Sequence, residues 1–175
     1  MKSDHPISNS YWVRPGRLLA GEHPGARDDR QSPQRLRQLL EAGVNFFLDL
    51  TEAGEYGLEP YLDLLRGEAQ ALGLEVEHQR MPIQDRGTPT SGQMTRILDA
   101  IDTALEAGRT VYVHCYAGIG RTGTVVGCYL VRDGKSGQAA LEEIAHLRRD
   151  IPSGWTTSPE TAAQRRMVRD WPERR

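Results

Sequence analysis

The chain has 175 residues, a formal charge of −2 and two cysteines. This length suits one domain with a substantial core, and the near-neutral charge gives no basis for nucleic-acid or membrane partners, so any affinity for anions has to come from a local site. Cys115 and Cys128 are too few and too close for a disulfide scaffold; with no hydrophobic leader and no 18-residue apolar run, a soluble cytoplasmic protein is expected.

Residues 1–16 are polar and turn-rich but hold Tyr11, Trp12 and Val13, which are expected to pack on the domain edge. Arg17 to Ala20 reads as a short strand ending at Gly21, followed by a loop in which His23 is expected to be exposed. Ser32-Pro33 is a cap-and-proline helix start, with Leu36, Leu39 and Leu40 inward and Gly43 as the stop. Val44 to Leu50 has the near-continuous apolar character of a central parallel strand, and residues 51–57 form the loop at its carboxyl end. A helix then runs from about Glu59 to Gly73 and a strand from Leu74 to Arg80. The loop 81–89 carries Asp85 between Pro82 and Pro89.

Thr90 or Ser91 caps the next helix, whose Met94, Ile97, Leu98, Ile101 and Leu105 recur at helical period up to Gly108. After the strand and helix of residues 110–131, Asp133-Gly134 turns the chain and Ser136 caps a helix reaching about Arg149. Ser158-Pro159 repeats the cap-and-proline signal before a last helix bearing Gln164, Met167, Val168 and Trp171. Strands alternating with helices give the expected fold class. It is α/β, one domain over residues 1–175, with a central, mostly parallel sheet of four to five strands flanked by helices on both faces. Ligands of such sheets bind beyond the carboxyl ends of the strands.

That position is taken by the segment 110–131. Thr110 to His114 is rich in β-branched and aromatic residues and reads as a buried strand. A loop, Cys115-Tyr116-Ala117-Gly118-Ile119-Gly120, leads to Arg121-Thr122-Gly123 and an apolar helix. Backbone amides at such a helix start lack partners and can hold an anion. They can also hold a thiolate: a free thiol titrates near 8.5, and helix N-termini with neighbouring positive charge bring cysteines down to roughly 3.5–7.5. Arg121 adds a planar fork suited to bidentate phosphate binding. The amides of Tyr116 to Arg121 are thus the expected phosphate-binding loop. The Thr122 hydroxyl can donate to Cys115 and help the sulfur leave, and His114 is expected to hydrogen-bond and orient the loop backbone. Gly118 to Gly123 also matches the dinucleotide fingerprint G-x-G-x-x-G, but that reading wants an acid about 20 residues on at a strand end, and Glu142 and Glu143 fall in a helical pattern. No Gly-Lys-Ser/Thr is present for a Walker loop.

His114-Cys115-x5-Arg121-Thr122 resembles the signature loop of the protein tyrosine phosphatase superfamily, and the Ala117-Gly118 and Arg121-Thr122-Gly123 pieces resemble its dual-specificity branch. The resemblance implies a cysteinyl-phosphate intermediate on Cys115, Arg121 as the phosphoryl clamp, and no metal or other cofactor. An acid must protonate the leaving oxygen, a contribution of ~10²–10⁴ in rate. Asp85 lies in a loop after a strand, thirty residues before Cys115, and the family places its acid aspartate at a similar distance. The plainer reading makes Asp85 a turn residue; Asp49 and Glu52 are alternatives, while Asp99 and Asp102 lie on a polar helix face. Gln164, in Ser158-Pro159-Glu160-Thr161-x-x-Gln164, resembles a glutamine that positions the hydrolytic water in some members; it can equally be a helix-surface residue.

Cys128 falls in an apolar helix, as a buried structural thiol does. His78 and His146 have no spacing partners for a metal, and Arg86 can contact substrate or be solvated. Tyr116 and Ile119 stand where phosphoinositide-directed relatives resemble one another in carrying lysines, which disfavours that substrate class. The expected partner is a phosphorylated protein or peptide, with phosphotyrosine first and phosphoserine or phosphothreonine also open; oligomeric state is not readable. A phosphoinositide or other small phosphomonoester phosphatase, a phosphate-binding pseudoenzyme, and a sulfur-transfer or arsenate-reducing enzyme are the competing readings.

Overall fold

The computed structural model of the protein describes residues 4–25 and 28–172. Its centre is a five-stranded sheet in the order β1 (Ser10–Arg14), β2 (Leu18–Gly21), β5 (Val111–His114), β3 (Phe46–Asp49) and β4 (Glu77–Arg80). β1 runs antiparallel to β2 and the other neighbours are parallel. The helices are α1 (Ser32–Glu41), α2 (Leu62–Ala71), α3 (Ser91–Glu106), α4 (Arg121–Arg132), α5 (Gly137–Arg148) and α6 (Ala162–Asp170).

Side chains alternate along a strand, and the alternation sorts the core into two layers. Leu18, Ala20, Phe46, Leu48, Val111 and Val113 join the inward residues of α3 to α6. Leu19, Phe47 and Tyr112 join Leu36, Leu39 and Leu40 of α1 and Leu65 and Ala69 of α2. Helices therefore cover both faces, as the near-continuous apolar strands require. β5 is the central strand, and its carboxyl end delivers His114 and Cys115 to the edge of the sheet between β2 and β3.

Several local expectations are corrected. Tyr11-Trp12-Val13 lies in a paired edge strand, with Tyr11 buried; the turn-forming neighbours Asn9, Ser10, Pro15 and Gly16 mask it in the sequence. Of the segment 1–16, residues 1–3 lie outside the described residues, as do residues 26 and 27 of the loop after β2. β4 is shorter than expected and alternately exposed, as befits an edge. α2 starts at Leu62 rather than near Glu59, because Pro60 and a 3-10 turn at Glu55–Gly57 precede it.

Gln31 rather than Ser32 occupies the N-cap of α1. Ser158-Pro159 does not start the last helix: that peptide is cis, and α6 begins at Ala162. Thr161 and Gln164 form a capping box there, a stronger start signal than serine-proline, and the Ser158 hydroxyl donates instead to Ile119 O at 2.6 Å. Among the described residues no helix is long and apolar enough to cross a membrane.

Candidate active site

The segment Cys115–Gly120 connects β5 to α4. Among the described residues the amides of Ala117, Gly118, Ile119 and Gly120 donate to no other protein group, and the first intrahelical bond of α4 is Thr124 N to Gly120 O at 3.0 Å. A row of such amides at a helix start is an anion cradle. Gly118 is required here twice over: its φ is +74°, and a Cβ would lie 2.4 Å from the Gly21 carbonyl carbon. Cys115 is buried, and Thr122 Oγ1 is buried with no hydrogen-bond partner among the described residues.

Arg121 is 1 % exposed and its guanidinium is almost fully allotted. Nη1 donates to Glu55 Oε1 at 2.7 Å and Ile83 O at 3.0 Å, while Nη2 donates to Glu55 Oε2 at 3.0 Å and faces Asp85 Oδ1 at 3.3 Å. Nε has no partner. Burial works against the charge, but Glu55, Cys115 and Asp85 outweigh it and raise the Arg121 pKa. These contacts leave Nε and one hydrogen of Nη2 as the open edge of the guanidinium. Sulfur, guanidinium and a carboxylate on a separate loop thus share one spot, a grouping whose chemistry can accept an anion beside a nucleophile.

A family model described as a polymorphic toxin system DSP-PTPase phosphatase matches residues 25–135, a span that holds Glu55, Asp85, Cys115 and Arg121. The chain belongs to the dual-specificity branch of the protein tyrosine phosphatase superfamily. Cyclin-dependent kinase inhibitor 3 of Rattus norvegicus is 31% identical over 133 residues, covering 71% of this chain and 60% of that protein. The chain thus spans less than two thirds of the length of this curated relative. The structure of Tk-PTP in its active form superposes with a TM-score of 0.68 at 26% identity, over 93% of this chain and 95% of that one. Kinase-associated phosphatase gives 0.70 at 22% identity, over 91% and 90%, a likeness of fold.

Beneath the phosphatase loop lies a polar layer that the sequence does not reveal. His23, expected to be exposed, is 2 % exposed: its backbone N–H donates to Tyr116 O at 3.0 Å and its Nδ1 accepts from Gly25 N–H at 2.9 Å. Its ring meets those of His114 and Tyr61 edge-on. Burial first, then the neighbouring His114, pushes the His23 pKa down to about 3, and burial also lowers that of His114. In the neutral His114 ring, Nε2 accepts from the Tyr61 hydroxyl at 2.6 Å, which assigns the proton to Nδ1, 3.2 Å from Cys115 O. Asp49 is fully buried at the end of β3, where it accepts from Thr51 and faces His78 and Arg80 at 3.4 Å. Burial would raise its pKa; His114, His78 and Thr51 outweigh that and hold it well below the carboxylate range.

The Asp85 loop is tied down at several points. Arg86 pairs with Glu160 at 2.7 Å, and Gly87 O accepts from Gln164 Nε2 at 3.1 Å. Gln164 is fully buried, not on the helix surface; its Oε1 accepts from Thr161 N–H, and the amide lies where a Cβ on Gly120 would meet it at 3.0–3.1 Å. Glu52 is exposed, and its N–H donates to Glu55 Oε1. Cys128 is buried in the core, which pushes its thiol up to about 12. Among the described residues no group of three or more His, Cys, Asp or Glu is placed to hold a metal ion. A groove of about 610 Å³ opens beside the loop, with His23, Asp28, Tyr56, Tyr61 and Tyr116 in its lining.

Proposed function

We propose that this protein hydrolyses phosphotyrosine in proteins, and phosphoserine and phosphothreonine more slowly, through a cysteinyl-phosphate on Cys115. The observation that carries the reading is the meeting of Asp85 and Glu55 on the guanidinium that closes the Cys115 loop. In the first step Cys115 Sγ attacks phosphorus and the P–O bond to the leaving group breaks. The phosphoryl oxygens lie on the amides of Tyr116 to Arg121 and on the free edge of Arg121, and Asp85 gives its proton to the leaving oxygen. In the second step water attacks phosphorus, the S–P bond breaks, and Asp85 takes the water's proton; inorganic phosphate leaves. Thr122 Oγ1 donates to the departing sulfur, His114 holds the Cys115 carbonyl, and Gln164 Nε2 offers its second hydrogen to the water.

An aryl phosphate on a protein is favoured by what surrounds the loop. Tyr56 and Tyr116 stand at its mouth with rings 5.0 Å apart. Tyr116 and Ile119 supply no cation for a multiply phosphorylated inositol ring, and the nearby Arg86 and Arg30 are paired with Glu160 and Asp28.

The test is turnover of an aryl phosphate by wild type and Cys115→Ser, with vanadate as inhibitor. Loss of turnover in the variant and vanadate inhibition of wild type support the reading; full activity in the serine variant overturns it. A wild type that binds phosphopeptide yet turns over no ester across pH 5–8 would make it a binding module. A higher kcat/KM for a short-chain phosphoinositide than for a phosphotyrosyl peptide would move the substrate class.

A further inference from the structure

The 3-10 turn Glu55–Gly57 sends two neighbouring side chains to the two charged groups of the site. Glu55 takes Arg121, and the Tyr56 hydroxyl donates to Asp85 Oδ2. Tyr56 does so from the left-handed region, at φ 51°, between Gly54 at φ 75° and Gly57 at φ 71°. A bulky residue is held there only when its surroundings require it, and such strain gathers at functional sites. Tyr56 is 68 % exposed, so packing into the core is not the requirement.

Among the described contacts, Ile83 O, Arg86 and Gly87 O tether the acid loop, but only Arg121 and Tyr56 hold the Asp85 carboxylate itself. The Arg121 contact is a charge pair at 3.3 Å and, among the described contacts, not a hydrogen bond, whereas Tyr56 donates a hydrogen bond to Oδ2. Tyr56 is thus the hydrogen-bonding tether of the carboxylate.

We propose that Tyr56 is a positioning residue for the acid: by holding Asp85 Oδ2 it commits Oδ1 to carry the proton that goes to the leaving group and returns from water. The inference rests on the assignment of Asp85 as general acid and deepens it. As the P–O bond breaks and the S–P bond forms, the Oδ1 proton moves to the leaving oxygen. Oδ2 accepts from Tyr56 throughout, so the hydroxyl proton never transfers.

The experiment compares kcat/KM, which reports cysteine phosphorylation, for phenyl phosphate and for 4-nitrophenyl phosphate. The second leaving group needs little protonation. Tyr56→Phe keeps the ring and removes the hydroxyl. It should lower kcat/KM for phenyl phosphate about tenfold, a part of the ~10²–10⁴ that a general acid supplies, and that for 4-nitrophenyl phosphate less than about twofold. Vanadate affinity should be unchanged, and in an Asp85→Asn background Tyr56→Phe should add nothing. Equal losses on both esters, or the same loss in that background, would overturn the proposal by making Tyr56 a part of the wall. If Asp85→Asn itself fails to separate the two esters, the acid assignment falls. If it separates them and Tyr56→Phe does not, only the Tyr56 proposal falls.

Discussion

Arg121 does two jobs with one guanidinium, and its geometry says that the fork matters beyond the charge. Three hydrogens go to Glu55 and Ile83 O, and these contacts fix the plane of the edge that, in the proposed mechanism, meets phosphate. Lysine keeps the charge but offers three hydrogens on one atom and cannot hold both sides. Arg121→Lys should therefore lower kcat/KM for an aryl phosphate by about 10²-fold, the scale of losing an oriented donor to a developing oxyanion. A loss under about threefold, measured by steady-state kinetics beside a thermal melt that confirms folding, would mean that charge alone suffices. Cys115 and Arg121 were legible in the sequence because the loop between them is short and its chemistry is local. Glu55 was not, because a glutamate in a polar loop carries no mark of a partner 66 residues away. His23 misled for a related reason: glycine, proline and glutamate around it suggest exposure, while the fold folds that segment under Tyr116.

At the scale of elements, helices were legible wherever apolar residues kept a 3.6 period, as in α3, and less so where a start signal had competitors, as at α6. What the sequence could not mark was how closely two helices approach. Gly127 in α4 faces Val168 in α6, and a Cβ at 127 would lie 2.5 and 2.6 Å from the two valine methyls. Val168 is fully buried and β-branched, so it has no open rotamer to retreat into. Gly127→Ala should therefore destabilise by about 1–3 kcal/mol through overpacking, despite the better helix propensity of alanine. Val168→Ala in the same chain should recover part of that loss, whereas alone it should destabilise by leaving a cavity. Urea unfolding of the two single variants and the double variant decides it; additive losses would show that the contact is not tight. The approach of α6 matters to the site because it carries Gln164 against Gly120 and Gly87.

Across the whole molecule, the two apolar layers on either side of the sheet are closed at its carboxyl end by the polar layer of buried His23, His114, Tyr61 and Asp49 and half-buried His78. This ties global stability to pH. An unfolded histidine takes up a proton near pH 6.5, whereas His23 in the fold does so only near pH 3, and His114 is shifted in the same direction. Between these values the unfolded state binds more protons than the folded one, so stability is full above pH 6.5 and falls as the pH drops. For His23 the slope is roughly 1.4 kcal/mol per pH unit, or roughly 2 kcal/mol between pH 6.5 and pH 5, and His114 adds to it in the same direction. Asp49 does not blur this interval: with its folded pKa held below its ordinary 3.8, its contribution is constant above that value and is lost only in stronger acid. Urea unfolding at intervals from pH 7.5 to pH 5 should show the decline, and His23→Gln should flatten it by one proton, whatever it does to stability at pH 7.5. An equally steep decline in that variant would locate the linked protons elsewhere and remove His23 from the layer that supports the loop.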